Sequence, residues 1–204
     1  MKEELLTITL ILVSLLRTAQ DDRTTIGLTI YPGISTITNP VENQEFSRFS
    51  LSGGVEFRQP VYKNKIFISS GLYIFNHGFN FEAEGTDENG NILGLFTGED
   101  IHNHLTLPIS AIFKFGHFYA GAGMNMNYYL NRKTFLGDEL ILSQRDFFQK
   151  KVSYGFQFIG GFEFAINEHF VVGTELFVNS FFNQPLINYG LGIGLKYAFL
   201  NKEL

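Results

Sequence analysis

The sequence predicts an all-β protein: an eight-stranded antiparallel, up-and-down transmembrane β-barrel behind a short N-terminal signal helix. Three observations predict it. From Thr24 onward, large apolar residues alternate with small or polar ones at period two, the pattern of strands that face two different environments. Long polar connections fall at one end of these runs and tight turns at the other, the layout of a barrel threaded through a membrane. Aromatic side chains gather on the apolar face at both ends, where a hydrocarbon layer meets water.

The chain opens on the one helical signal. Leu5 to Leu16 reads LLTITLILVSLL, an uncharged apolar run too short for a transmembrane helix, which takes about 20 residues, but long enough for a signal-peptide core. Thr18 and Ala19 follow, so residues 1–20 are expected to be cleaved near Ala19 or Gln20, leaving residues 21–204 as one barrel domain. Against the usual pattern, Lys2 is offset by Glu3 and Glu4. Cleavage leaves the net charge at −5, because Lys2 and Arg17 cancel Glu3 and Glu4.

The strands follow in order. Ile26, Leu28 and Ile30 alternate with Thr25, Gly27 and Thr29; Phe49, Leu51, Val55 and Phe57 with Ser50, Ser52, Glu56 and Arg58. The stretch from Ile66 to Phe81 is apolar on both faces at first, which leaves its register open. Leu105 to Phe115, Phe118 to Tyr128 and Tyr154 to Phe164 alternate cleanly. Phe170, Val172, Leu176 and Val178 oppose Gly173, Glu175 and Asn179, and Tyr189 to Phe199 closes the set. Tight turns are expected at Pro60–Lys65, Gly116-His117 and Asn167-Glu168. Long loops are expected at Pro32–Phe46, Glu82–Asp100 and Asn131–Lys150, with a shorter one at Phe182–Ile187.

Composition narrows the function classes. The 23 Phe, 9 Tyr and 21 Gly suit strands, and the absence of Cys excludes a disulfide scaffold or a thiolate metal site. A net charge of −5 argues against nucleic acid as a partner. A soluble lipocalin-like barrel would carry a first-strand Gly-x-Trp, and the chain has no Trp.

Six charged residues fall on inward faces, Glu56, Arg58, Lys114, Glu163, Glu175 and Lys196, mostly toward the tight-turn end. Three acids and three bases in a narrow interior are expected to pair, since an unpaired buried charge is costly. Their readings are a plug of ion pairs or a gated path; the plug suits eight strands, whose interior side chains can fill. An aromatic girdle is expected at the tight-turn end from Phe57, Phe115, Phe118, Phe164, Phe170, Tyr197 and Phe199. A second is expected at the loop end from Phe49, Tyr128, Tyr154 and Tyr189. His102 and His104 in DIHNHL share a face, with His77 in reach; metal ligation with Glu99 or Asp100 and a plain strand-end role both fit. Ser143 and Asp146 lie in the third loop, but no motif fixes them against a histidine, so no catalytic residue is assigned. No cofactor is expected.

The segment LTLPISAIFKFGHFYAGAGMNMNYYL (Leu105–Leu130) resembles the strand–turn–strand centre of PorT-like outer-membrane barrels, within the broader OmpA/OmpX-like eight-stranded class. Loosely, the resemblance extends from Thr24 to Phe199. One departure is the end: such barrels finish on an aromatic, and here Asn201–Leu204 follow Phe199. The resemblance implies a Gram-negative outer membrane, loops extracellular, both termini periplasmic, and a non-enzymatic role in a secretion or surface-assembly system. Partners would be outer-membrane lipids and a protein met by loop 131–150, where Leu140, Ile141, Leu142, Phe147 and Phe148 mix with charge. That loop reads either as a hairpin raised above the membrane or as a cover folded over the mouth. A small-ligand binding or transport barrel and a lipid-modifying enzyme are the alternatives.

Overall fold

The computed structural model describes residues 23–37, 45–62, 65–86, 92–137, 139–144, 151–182 and 186–199. The expected signal helix over 1–20, the tail after Phe199 and residues 145–150 of the third loop lie outside the described residues. Eight long strands form the wall: β1 (Thr25–Ile37), β3 (Arg48–Tyr62), β4 (Ile66–Thr86), β5 (Ile92–Phe115), β6 (Phe118–Leu136), β8 (Val152–Ala165), β9 (Phe170–Phe181) and β10 (Leu186–Ala198). Each pairs antiparallel with two neighbours, and β1 pairs with β10, so the sheet closes on itself. Closure gives every wall strand a neighbour on each side, as a bilayer requires of backbone groups that have no water to turn to; the β3–β4 ladder stops at Gly53 opposite Ile74, and beyond it the Asn76 amide donates to the Ser52 hydroxyl instead. Two short strands, β2 (Glu45–Phe46) and β7 (Glu139–Gln144), add to β4 and β6 beyond the wall.

The turns sort by end as the residues require. Gly116 takes φ +63° between β5 and β6, and Asn167 Oδ1 accepts from the His169 and Phe170 amides between β8 and β9. Phe199 N donates to Thr24 O, so the two ends of the barrel lie side by side at this same end.

Side chains are distributed the reverse of a soluble protein. Outward residues are large, apolar and exposed, with Leu28 at 66%, Phe118 at 68% and Leu176 at 68%, while Glu56, Arg58, Glu175 and Lys196 are buried inside. Only a hydrocarbon surround makes that arrangement stable. On β5 the outward apolar run extends from Leu105 to Phe115. Ten steps of about 3.4 Å, tilted by about 40°, give a band roughly 26 Å tall, the height of an outer-membrane apolar belt. Above it, outward-facing asparagines join across three strands. Asn76 Nδ2 donates to Asn103 Oδ1 at 2.9 Å, and Asn103 Nδ2 to Asn131 Oδ1 at 2.8 Å. This polar row marks the upper edge of the band.

The long-loop expectation needs correction. Strand β1 continues through Pro32 to Ile37, β4 runs on to Thr86, and β5 already starts at Ile92. Pro32 costs β1 part of its ladder, since its β10 pairing skips from Ile30 to Gly33, but it does not end the strand. Much of Glu82–Asp100 and Asn131–Lys150 is therefore paired hairpin, with Glu82 opposite Thr97 and Arg132 opposite Gln144. Above the membrane both faces are wet, so period two fades from the sequence while the backbone ladder persists.

Candidate functional site

The tight-turn half of the lumen collects all six inward charges. Arg58, on β3, is the hub: Nε donates to Glu56 at 2.6 Å, Nη1 to Glu163 of β8 at 2.7 Å, and Nη2 to Glu175 of β9 at 3.1 Å. Lys196 of β10 lies 2.8 Å from both Glu56 and Glu163. Lys114 of β5 reaches Glu163 at 3.2 Å and is the most exposed member. Residues two apart on one strand share a face, which is how Glu56 and Arg58 both enter the cluster.

Several partners in this network carry no charge and were not expected. Tyr31 and Tyr119 donate their hydroxyls to the two oxygens of Glu175 at 2.6 and 2.5 Å, and Ser69 donates to Glu56 at 2.9 Å. The Arg58 guanidinium also lies 4.3 Å from the centre of the Tyr119 ring. Their signal was in the register: Tyr31, Ser69 and Tyr119 each sit one step out of phase with the apolar outer residues of their strands. Every carboxylate in the cluster thus meets both a cation and a hydroxyl or second cation, the condition for tolerating buried charge. The cavity beside Arg58, Lys114, Tyr119 and Glu163 holds about 20 Å³, room for one water.

An aromatic layer sits above the charges. Tyr31 meets Phe177 at 4.8 Å and Tyr73 at 5.5 Å between ring centres, and Phe75 stacks 5.9 Å from Tyr31. Glycines make the space: a Cβ on Gly54 would come within 2.7 Å of the Tyr73 ring, and one on Gly192 within 2.6 Å of the Tyr31 ring. The open register of β4 resolves here, with Tyr73, Phe75 and His77 inward and Leu72 and Ile74 outward.

The histidines form the next layer. His77 pairs across strands with His102, and its ring lies 5.3 Å from His104 and 4.4 Å from Phe181. His102 Nε2 is 3.5 Å from Asp100, which is held chiefly by Arg132 Nε at 2.7 Å. Among the described residues, no three histidine, aspartate or glutamate side chains converge on a point that would hold a metal ion. His117 sits in its turn with Nδ1 3.1 Å from the Glu163 carbonyl, and His169 stacks on Tyr197. Ser143 pairs through its backbone with Lys133, which in turn pairs with Ile101, and Asp146 lies outside the described residues.

The aromatic residues expected at the tight-turn end all lie at that end of the wall. Phe115, Phe118, Phe164, Phe170, Tyr197 and Phe199 are exposed, and Phe57 is half-buried. Phe162 and Phe164 meet edge to face, as do Phe170 and Tyr197 and then Tyr197 and Phe199. At the other end Phe49, Tyr128, Tyr154 and Tyr189 are exposed.

No family model matches the sequence, and no curated protein matches it. Solved structures do. The attachment invasion locus protein Ail of Yersinia pestis, in complex with the heparin analogue sucrose octasulfate, superposes at TM-score 0.51 with 10% identity over 88% of this chain and 100% of that one. Neisserial surface protein A superposes at TM-score 0.50 with 11% identity over 86% and 97%. At such identities the likeness is one of fold. Closed wall, outward apolar band and inward charge give the same answer: the chain has the fold of an eight-stranded transmembrane β-barrel of the outer-membrane kind.

Proposed function

We propose that this protein is a non-enzymatic outer-membrane anchor that carries a β-sheet beyond the membrane for contact with a protein partner. The tight-turn end and both termini then face the periplasm and the hairpins face outward, with residues 1–20 as the export signal. One observation carries the reading: the lumen is filled by ion pairs and rings while β4 and β5 continue past the asparagine row to Thr86 and Ile92. A conduit needs a bore, and a solvent-facing sheet needs none. The raised sheet runs β2–β4–β5–β6–β7, and among the described residues β7 pairs on one side only. A strand with an open edge offers its backbone to a partner chain. Glu82, Glu84, Glu99 and Glu139 lie on this sheet, so a polyanion like the one in the Ail complex is a poor match. An accessory role in secretion or surface assembly, suggested by the PorT-like centre, fits an anchor of this kind.

Recording from the purified protein in a planar bilayer tests the reading. A silent trace is expected, and steps of an open channel would favour the transport alternative. Replacing 132–144 by a short turn is expected to leave the heat-dependent gel shift of the barrel intact while abolishing partner capture. Retained capture would move the contact elsewhere.

A further inference from the structure

The raised sheet carries an open cleft of about 560 Å³, lined by Phe46, Asn80, Glu82, Thr97 and Glu99, with Gly98 and Gly137 adding no side chain to fill it. Clefts that hold ligands measure about 300–1,000 Å³. Strand register builds this one. Phe46 of β2 stands opposite Asn80 of β4, and Asn80 opposite Glu99 of β5, so the three form one row. Glu82 and Thr97 stand opposite each other in the next row up. Positions two apart on a strand share a face, which puts both rows on the same side of the sheet. Gly137 N donates to Thr97 O at 2.9 Å and sets the end of β6 against the second row.

The polar groups of this cleft are short of donors. Glu99 Oε1 accepts from Arg48 Nε, and Arg48 Nη1 donates to Asn76 Oδ1, each at 2.5 Å. Arg48 makes that crossing from β3 where the β3–β4 ladder has stopped and Gly78 N has turned to Ser35 Oγ. Asn80 Nδ2 is spent on Ser47 O at 3.3 Å, which leaves Asn80 Oδ1 as an acceptor. Glu82 has no cation partner among the described residues. Phe46, in the first row, is 46% exposed. The cleft therefore offers an uncompensated carboxylate, an amide oxygen, a hydroxyl and an aromatic ring. A ligand that suits it brings positive charge, several donors and a flat face.

We propose that this cleft takes the guanidinium of an arginine presented by a protein partner. Guanidinium is planar and always charged, donates five N–H bonds and stacks on rings. An ammonium brings the charge without the plane or the fork. A divalent ion is a worse fit, because Arg48 already holds Glu99, one of the two carboxylates in the lining. The inference rests on the raised sheet being the surface that meets a protein, and it adds the charge that protein must carry. A strand paired along β7 would supply affinity, and the cleft would choose the side chain.

Acetylated, amidated tetra-arginine, titrated into the full barrel in phosphatidylcholine nanodiscs and followed by amide NMR, tests this. Shifts are expected at Phe46, Asn80, Thr97 and Gly98, with tetra-lysine binding about threefold more weakly. Glu82→Gln is expected to weaken tetra-arginine about fivefold, the effect of one part-exposed ion pair. Phe46→Leu is expected to erase the preference for arginine over lysine. Glu139→Gln, on β7 and outside the cleft, is expected to leave binding unchanged. The heat-dependent gel shift confirms an intact barrel in each variant. Absent or scattered shifts, equal binding of the two peptides, a preference retained in Phe46→Leu, or equal losses in Glu82→Gln and Glu139→Gln would each overturn the proposal. None of these results alters the bilayer recording or the capture test on 132–144, which judge the anchor reading separately.

Discussion

Arg58 and Glu163 meet at 2.7 Å across the lumen, from β3 and β8, strands separated in the wall by β1, β10 and β9. A bond of this span ties opposite sides of the barrel. Removing the cation leaves Glu56, Glu163 and Glu175 buried with too little positive charge. Arg58→Ala is therefore expected to cost about 3–5 kcal/mol, the range for breaking a buried pair from one side. Lys114→Ala, at the open rim of the cluster, should cost far less. Urea unfolding followed by gel mobility measures both, and equal midpoints for the two variants would remove Arg58 as the hub.

A second prediction separates two glycines of the wall. A Cβ on Gly123 would stand 2.1 Å from the Ile109 carbonyl, and on Gly160 nothing lies nearer than Tyr119 O at 3.8 Å. Gly123→Ala must push backbone, and is expected to lower stability by about 1–3 kcal/mol, as overpacking does. Gly160→Ala faces outward into free space and is expected to stay within about 0.5 kcal/mol of the parent. The same unfolding curves decide it.

These contrasts show what could be read in advance. Strand phase placed Glu163 and Lys196 inward and Phe118 and Leu176 outward because period two is strict wherever one face meets hydrocarbon. It could not place Asp100 beside Arg132 or Asn76 beside Asn103, since those contacts depend on inter-strand register. Nor could it show the gap at Gly53 and Ile74. That gap depends on which neighbour a backbone amide chooses, and the serines that replace the ladder look like any small inward residue. Pro32 misled for the opposite reason, because a local rule about proline gave way to eleven other β1–β10 pairs.

The apolar band can be probed by depth. Met124 faces outward near the middle of the band, and Leu130 faces outward at its upper edge, beside the asparagine row. Met124→Arg is expected to destabilise the inserted barrel by about 2–4 kcal/mol and Leu130→Arg by about 0–1 kcal/mol. The comparison is made by reversible unfolding from vesicles. A soluble barrel would show no such gradient, so similar small costs at both positions would contradict membrane insertion.

Above the band, Asp100 sits where acid can be used to test the raised sheet. It lies two steps beyond His102 and well past Leu105, outside the spanning part of β5. Burial pushes its carboxyl up, but hydrogen bonds from His102 and Arg132 outweigh this and bring it down to about 2 from the usual 3.8. A carboxylate lowered on folding stabilises the fold above its unfolded pKa and loses that contribution as acid drives pH down through its folded value. The hairpin is thus expected to hold at neutral pH and to loosen between pH about 4 and about 2. Hydrogen exchange of the 97–102 amides across that range would report the loosening. Asp100→Asn is expected to start from the weaker state and to lose the pH dependence in this window. A parent whose exchange stays flat from neutral to pH about 2 would show that Arg132 and His102 do not hold the sheet through Asp100.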